Sequence, residues 1–387
     1  MLAIVFLILL LIALAVVLFD FWDDFQNWFW RIKIGRISDD AKWLECIRDI
    51  DIKWLSNGAP RVSEKEGQRL KLIKLIKNRG KQSLVCYWQD ASLLKGISED
   101  CSDDAKEAAD KLLERYIDIF TGEWKENPVS PDAATLAYEF MNCRSIDNAV
   151  IEPAMTFIAE MLKEKSSEYG TVPYNSEIPD IRFVDTVGMI CPFLIRYANE
   201  YKKYEYIDIA VKQINEYRKF GFDDRTGLPF HCFNAKTEAQ LGIIGWGRGC
   251  GWWAVGIADS LKELLKCDGL EKEKVSLLKL NINFLDEMKK YIRGGTVNRM
   301  VLNESLSDSS ASAMLSYCCA YIYLLTGKKE YSDISGRITE YLKGATRRNG
   351  VIDYSQGDTM GIGYYSSQYC VMPAAQGFAL AASALMK

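Results

Sequence analysis

The chain opens on an unbroken apolar run. Residues 1–19, MLAIVFLILLLIALAVVLF, carry no charged side chain, and as a helix they would span roughly 28 Å, close to the hydrocarbon thickness of a bilayer. From residue 38 the pattern changes to apolar positions three and four apart, with polar residues between them, which is the period of amphipathic helices. SDDAKWLECIRDIDIKWL begins with Ser and Asp suited to N-caps. SEKEGQRLKLIKLIKNRG carries a Ser63-x-x-Glu66 capping box and a stop at Gly80. SDDAKEAADKLLERYIDIFTG ends at Gly122, and SPDAATLAYEFMN sets Ser130 as cap with Pro131 in the first turn. The same reasoning predicts helices near 147–164, 184–203, 205–219, 250–266, 273–293, 309–326, 329–345 and 368–386. Strand alternation is weak outside short connections such as GVIDYS.

About twelve helices joined by loops too short for domain linkers predict one all-α domain over residues 38–387. Paired helices in this number commonly close into a double ring, an (α/α)6 barrel. Polar, glycine-rich stretches follow alternate helices: YGTVPYNSEIPDIRF, the long 221–250 segment, TVNRMVLNESLSDSSAS and YSQGDTMGIGYYSS. Loops gathered on one face of a rigid ring are where a site would be built. A thirty-residue connection at 221–250 points the same way.

The amino-terminal run reads as a retained transmembrane anchor over 1–19. A cleaved signal peptide would want Lys or Arg ahead of the apolar stretch, and the sequence has none there. Residues 20–37 form an aromatic and basic juxtamembrane segment containing Arg31, Lys33 and Arg36. Basic residues on that flank alone predict a single-pass protein with its main domain on the cytoplasmic side.

Composition narrows the chemistry. The net charge of −4 gives no basic footprint for nucleic acid. His231 is the only histidine, which excludes His-rich metal sites and any mechanism needing several imidazoles. The eleven cysteines show no C-x-x-C spacing, and many sit in apolar runs such as SYCCAYIYLL, where Cys behaves as a small hydrophobe. That usage suits a reducing compartment.

One stretch concentrates unusual residues. GWGRGCGWW, residues 245–253, sets Arg248 among four glycines and between Trp246 and Trp252. A dinucleotide fingerprint would need a preceding strand and a P-loop would need Gly-Lys-Ser/Thr; QLGII is a weak strand and the lysine is missing. No G-x-S-x-G or H-E-x-x-H occurs either. What remains is carboxylate chemistry beside an arginine and an aromatic platform, where a guanidinium can fork onto a sugar carboxylate while indoles stack on the ring. Asp185, at the head of an apolar helix, fits either an N-cap or a desolvated proton donor. Asp132 fits either first-turn dipole compensation or a second site acid. The residues alone leave both pairs of readings open.

VDTVGMICPFLIRYA, DDRTGLPFHCF and GWGRGCGWWAVGIADSLKEL, in that order and approximate spacing, resemble the unsaturated glucuronyl and rhamnogalacturonyl hydrolases of glycoside hydrolase families 88 and 105. The later stretches SDSSASAMLSYCCAY and SQGDTMGIGYYSSQYCVMPAAQGFALAASAL resemble them too, so the likeness runs over roughly 80–387. It implies an (α/α)6 barrel and an enzyme that hydrates the C4=C5 bond of a 4,5-unsaturated uronic acid at the end of a lyase-generated oligosaccharide, needing neither metal nor cofactor. Asp185 matches the family's proposed acid/base and Asp132 its second acid. His231, Trp246, Arg248 and Trp252 match pocket residues. Cys250 stands where the family usually has Asn, and Cys232-Phe233 where Gly-Trp is commoner. An anchor is not typical of the family. The alternative expectation is a non-catalytic, membrane-tethered glycan-binding protein on the same fold, with the lipid bilayer and an oligosaccharide as partners and no nucleic acid.

Overall fold

The computed structural model describes residues 2–60, 87–166, 169–303, 306–359 and 361–386; the Ser63–Glu66 capping box and the Gly80 stop lie outside them. The outer helices are amphipathic, as the spacing predicts. Asp103–Tyr116 buries Ala105, Ala108, Ala109, Leu112 and Leu113, one face at helical period, and keeps Asp103 and Asp104 in its first turn. Other helices are buried nearly all round. Ser309–Thr326 is covered from Ser309 through Ile322 and ends on Gly327 in the left-handed conformation, whose N–H bonds the Tyr323 carbonyl.

In chain order the helices are α1 (Leu2–Arg31), α2 (Asp40–Asn57), α3 (Tyr87–Ile97), α4 (Asp103–Tyr116), α5 (Ala133–Asn142), α6 (Asn148–Lys165), α7 (Val184–Tyr201), α8 (Glu205–Phe220), α9 (Gly247–Leu264), α10 (Glu271–Met288), α11 (Ser309–Thr326), α12 (Lys329–Gly344) and α13 (Pro373–Leu385). The fully covered helices α3, α5, α7, α9, α11 and α13 each pack on the next, and α13 returns to α3. The amphipathic helices α2, α4, α6, α8, α10 and α12 form the layer outside. The expected double ring is therefore present.

Glycines let the inner helices touch. A methyl group on Gly256 would strike the backbone of Gly188, joining α7 to α9, and one on Gly377 would overlap the Ser92 carbonyl, joining α13 to α3. Inside the ring, Lys95 on α3 is buried and its ammonium meets Glu139 of α5 at 2.9 Å and Asp259 of α9 at 2.8 Å. Tyr317 of α11 donates to the same Asp259 at 2.5 Å. Four inner helices are thus tied by one buried ionic knot.

The 221–250 segment, expected as a long loop with QLGII as a weak strand, contains a small sheet. It folds as β2 (Phe222–Asp223), β3 (Leu228–Asn234) and β4 (Gln240–Ile244), joined antiparallel by β1 (Ile181–Phe183). These strands are short, and β3 is covered on both faces, so they show no two-residue alternation. A second small pair joins β5 (Ser355–Gln356) to β6 (Tyr369–Cys370).

The helix α1 runs unbroken across the expected 19/20 boundary to Arg31. Its stretch Ala3–Trp22 has a mean hydropathy of 3.2 and stands almost clear of the protein body. One helix among the described residues is therefore long and apolar enough to cross a membrane.

Candidate active site

Alternation of inner and outer helices makes the inner six parallel, so their amino termini gather at one end of the ring. Partial positive charge collects there. Lateral hydrogen bonds tie these termini together. The Tyr87 N–H opening α3 donates to Asp132 before α5 at 3.2 Å, and the Gln356 N–H donates to Asp308, the cap of α11, at 3.1 Å.

Asp185 sits in the first turn of α7, delivered by β1; Phe183 holds the cap position. The N-cap reading therefore fails. Its Oδ1 is sealed from solvent without a hydrogen-bond partner, while the residue as a whole is only half-buried. Burial pushes its pKa up to about 7; the Arg248 charge opposes that shift and the Asp358 carboxylate adds to it. Asp132 is 4% exposed. Burial raises it to about 6, even though the Ser130 hydroxyl and the Tyr87 N–H favour its charged form, and Asp358 again adds to the rise. Two carboxyls poised near neutrality share one negative neighbour.

Arg248 lies in the first turn of α9, 1% exposed. Its guanidinium donates to the carbonyls of Gln356 at 2.8 Å and Gly357 at 2.9 Å, and Asp358 stands 3.6 Å away. The charge lies 5.3 Å from the Trp246 ring and 5.9 Å from Trp88. A fork held open for a ligand carboxylate is thus not what the structure shows: much of it grips the protein's own backbone. The surrounding glycines also serve packing. A methyl on Gly247 would collide with the Asn298 carbonyl, and Gly249 and Gly251 abut the Trp246 ring and Met314.

His231 falls where the β3–β4 register shifts, between Phe230 and Cys232, a place where bulges re-aim side chains. Its Nδ1 lies 2.9 Å from the Tyr365 hydroxyl, and its ring meets Trp246 edge-on at 4.8 Å. Gly242, at φ +78°, leaves room for that pair; a methyl there would press on both. Burial, helped by Arg248, lowers His231 to about 4, so it is neutral at pH 7.

Trp246 donates its indole N–H to the Gln356 side chain at 2.8 Å. Trp252 is a packing residue, edge-on to Trp88 at 5.8 Å and against Gly188 of α7. Cys250 is wholly buried, and burial drives its thiol upward, so it stays protonated. The Cys232 thiol, also buried, is pushed up to about 12. Asp358, Gln356 and Tyr365 were missed from the sequence as individual residues. The signal was there, since all three lie in the glycine-rich stretch YSQGDTMGIGYYSS.

A closed helical double ring, with protonatable acids beside an arginine–indole wall at its mouth, has the build of a sugar-cleaving enzyme. Residues 78–387 match the model of Glycosyl Hydrolase Family 88, and the chain belongs to that family. It is 22% identical over 200 residues to an unsaturated rhamnogalacturonyl hydrolase of Bacillus subtilis, covering 49% of this chain and 57% of that relative, so the match spans little more than half the relative's length. Among solved structures, a protein from Klebsiella pneumoniae described as a possible GH105 member aligns over 90% of this chain and 94% of its own, at 16% identity and a TM-score of 0.74. An unsaturated glucuronyl hydrolase from Bacillus sp. GL1, responsible for degradation of glycosaminoglycan, aligns over 88% and 95%, at 16% identity and a TM-score of 0.65.

Proposed function

We propose that the protein is a hydrolase of oligosaccharides ending in a 4,5-unsaturated uronic acid, with Asp185 as the proton donor. The observation that carries this reading is the sealed, partnerless Oδ1 of Asp185, on a carboxyl that burial keeps protonated up to about pH 7. Such a group can give its proton to C4 of the enol ether. The resulting carboxylate then takes a proton from water as that water's oxygen bonds to C5. The acid is regenerated, and net hydration leaves a hemiketal that opens to release the neighbouring sugar.

Asp132 serves as the second acid of the pocket, the hydrogen bond it accepts from the Tyr87 N–H fixing it at the mouth of α5. Neutral His231 and Trp246 line the sugar face, and Cys250 and Trp252 support the wall from behind. Arg248 supplies positive potential for the uronate through its field, since two of its N–H groups are already engaged. The binding-only alternative shares this pocket and differs in turnover alone.

We read α1 as a retained anchor because no Lys or Arg precedes its apolar run; its last turn is bonded to the protein body, Arg31 meeting Asp353 at 2.7 Å. Arg31, Lys33 and Arg36 favour a cytoplasmic domain, and protease protection in sealed vesicles reads that orientation directly.

The deciding experiment uses full-length protein in detergent and a panel of lyase-generated unsaturated disaccharides. Loss of the enol-ether ultraviolet absorbance with wild type, and its absence with Asp185→Asn, is the expected result. A folded wild type that binds the panel without absorbance loss is a glycan-binding protein instead.

A further inference from the structure

The end of α1 reaches the backbone that holds Arg248. Arg31 grips Asp353 with both arms, Nε to Oδ2 at 2.7 Å and Nη2 to Oδ1 at 3.1 Å. The Asp353 side chain is fully buried, and Arg347 shares it at 2.7 Å. Arg347 in turn donates to Asn27 of α1 at 2.9 Å, and the Gly35 N–H donates to the Thr346 carbonyl at 2.9 Å. Arg348 lies 4.0 Å from the Phe29 ring centroid. The contact is extensive, bidentate and desolvated on the Asp353 side, unlike an incidental surface ion pair.

Immediately after Asp353 the backbone makes a strained turn. Tyr354 has φ +61°, a conformation a non-glycine residue keeps only when its surroundings impose it. Three contacts impose it: the Tyr354 N–H bonds Asp353 Oδ1 at 2.6 Å, the Ser309 N–H bonds the Tyr354 carbonyl at 3.1 Å, and Arg31 lies 5.1 Å from the Tyr354 ring centroid. The turn feeds β5, whose Gln356 carbonyl, with that of Gly357, receives the Arg248 fork. The same Gln356 holds the Trp246 indole through its side chain. A stack continues across the pair: Tyr354 meets Tyr369 at 5.2 Å, and Arg299 lies 3.9 Å from the Tyr369 ring centroid.

We infer that Arg31, in the last turn of the membrane helix, is a positioning residue for the sugar pocket. It clamps Asp353, the clamp fixes the left-handed turn at Tyr354, and the turn aims the two carbonyls that set Arg248. The anchor is thereby part of the active-site wall. This rests on the proposed reading of the pocket as a uronate site. Because Arg248 acts on bound substrate before and during reaction alike, its loosening is felt in KM more than in kcat.

The test compares full-length wild type, Arg31→Ala, Arg31→Lys and Arg36→Ala in the same detergent. Arg36 belongs to the same basic cluster and is exposed, so it controls for charge near the membrane. The readouts are kcat and KM on an unsaturated disaccharide, and amide exchange of residues 353–358. Expected for Arg31→Ala is a KM raised about tenfold with kcat within about threefold, faster exchange at 353–358, and part of both restored by lysine. Arg36→Ala should match wild type. Unchanged KM and unchanged exchange in Arg31→Ala overturn the inference, as does an equal effect from Arg36→Ala. If wild type turns over no unsaturated sugar, the functional reading falls while exchange still scores the clamp: faster at 353–358 upholds it, unchanged rejects it. Should Arg31→Ala fail to fold, Arg31→Lys carries the same comparison, since a single ammonium cannot reproduce the fork.

Discussion

The Tyr365 hydroxyl joins two partners, accepting the Ile243 N–H at 3.1 Å and meeting His231 Nδ1 at 2.9 Å. With its oxygen already serving Ile243, its own proton is directed at Nδ1, which leaves the imidazole proton on Nε2. His231 is then a neutral imidazole with its proton on Nε2. The chain has a single histidine, so nitrogen-15 NMR of histidine-labelled protein gives one imidazole. It should show the Nε2–H form and stay neutral down to about pH 4. Titration near 6.5 would contradict its burial.

If Asp185 is the proton donor, Asp185→Asn should cost about a hundredfold to ten-thousandfold in turnover, the usual scale for losing a proton-transfer group. Its effect on stability carries a sign. A carboxyl at about 7 in the folded state and about 3.9 when unfolded makes the native protein bind more protons between those values, so stability falls as pH rises from 4 to 7. Asparagine removes that loss. Thermal melts should show the variant gaining on wild type at pH 8 relative to pH 5, and a constant difference would refute the raised pKa.

Removing the carboxylate that both site acids feel, by Asp358→Asn, should lower the pKa of Asp185. If protonated Asp185 is the active form, the alkaline limb of kcat/KM, near pH 7 in wild type, moves to lower pH. A limb that stays put separates Asp358 from the acid's environment.

Cys250 is wholly buried and protonated, whereas Cys101 is exposed. Maleimide followed by mass spectrometry should label Cys101 first and leave Cys250 unmodified in the folded protein. Cys250→Ala should keep turnover within about fivefold, because deleting one sulfur from a packed wall costs about 1 kcal/mol or less in transition-state stabilisation.

Lys95→Met should destabilise the ring by about 3 kcal/mol or more, since Glu139 and Asp259 would face each other buried and without their cation. Chemical denaturation measures the loss. The double change with Glu139→Gln should recover part of it.

The helical ring was legible because packing geometry writes itself into residue spacing. The outer helix α4 shows its buried face at Ala105, Ala108, Leu112, and the inner α11, covered from Ser309 through Ile322, carries the apolar run SYCCAYIYLL. The β3–β4 hairpin was only faintly legible: β3 is covered on both faces and so lacks alternation, while the partly exposed five-residue β4, QLGII, reads as no more than a weak strand. Asp185 could be singled out at the head of α7, yet its choice between cap and acid needed the observation that Phe183 caps the helix. Arg248 was found for its chemistry but misjudged in its engagement, because the carbonyls it grips lie more than a hundred residues onward. The packing role of the glycines beside it is invisible in the sequence, and only three-dimensional neighbours such as Asn298 reveal it.

The inner ring closes between α3 and α13, at opposite ends of the domain's sequence. Gly377 of α13 lies against the Ser92 carbonyl of α3 at that seam, and Gln376 ties α13 outward to the carbonyls of Ile47 in α2 and of Gly350 at 2.9 and 3.0 Å. Of the six inner helices α13 is the last to be synthesised, so until it emerges the apolar faces of α3 and α11 have no covering neighbour on that side. The nascent domain is an open arc with exposed apolar surface, and it becomes a ring only once α13 has left the exit tunnel.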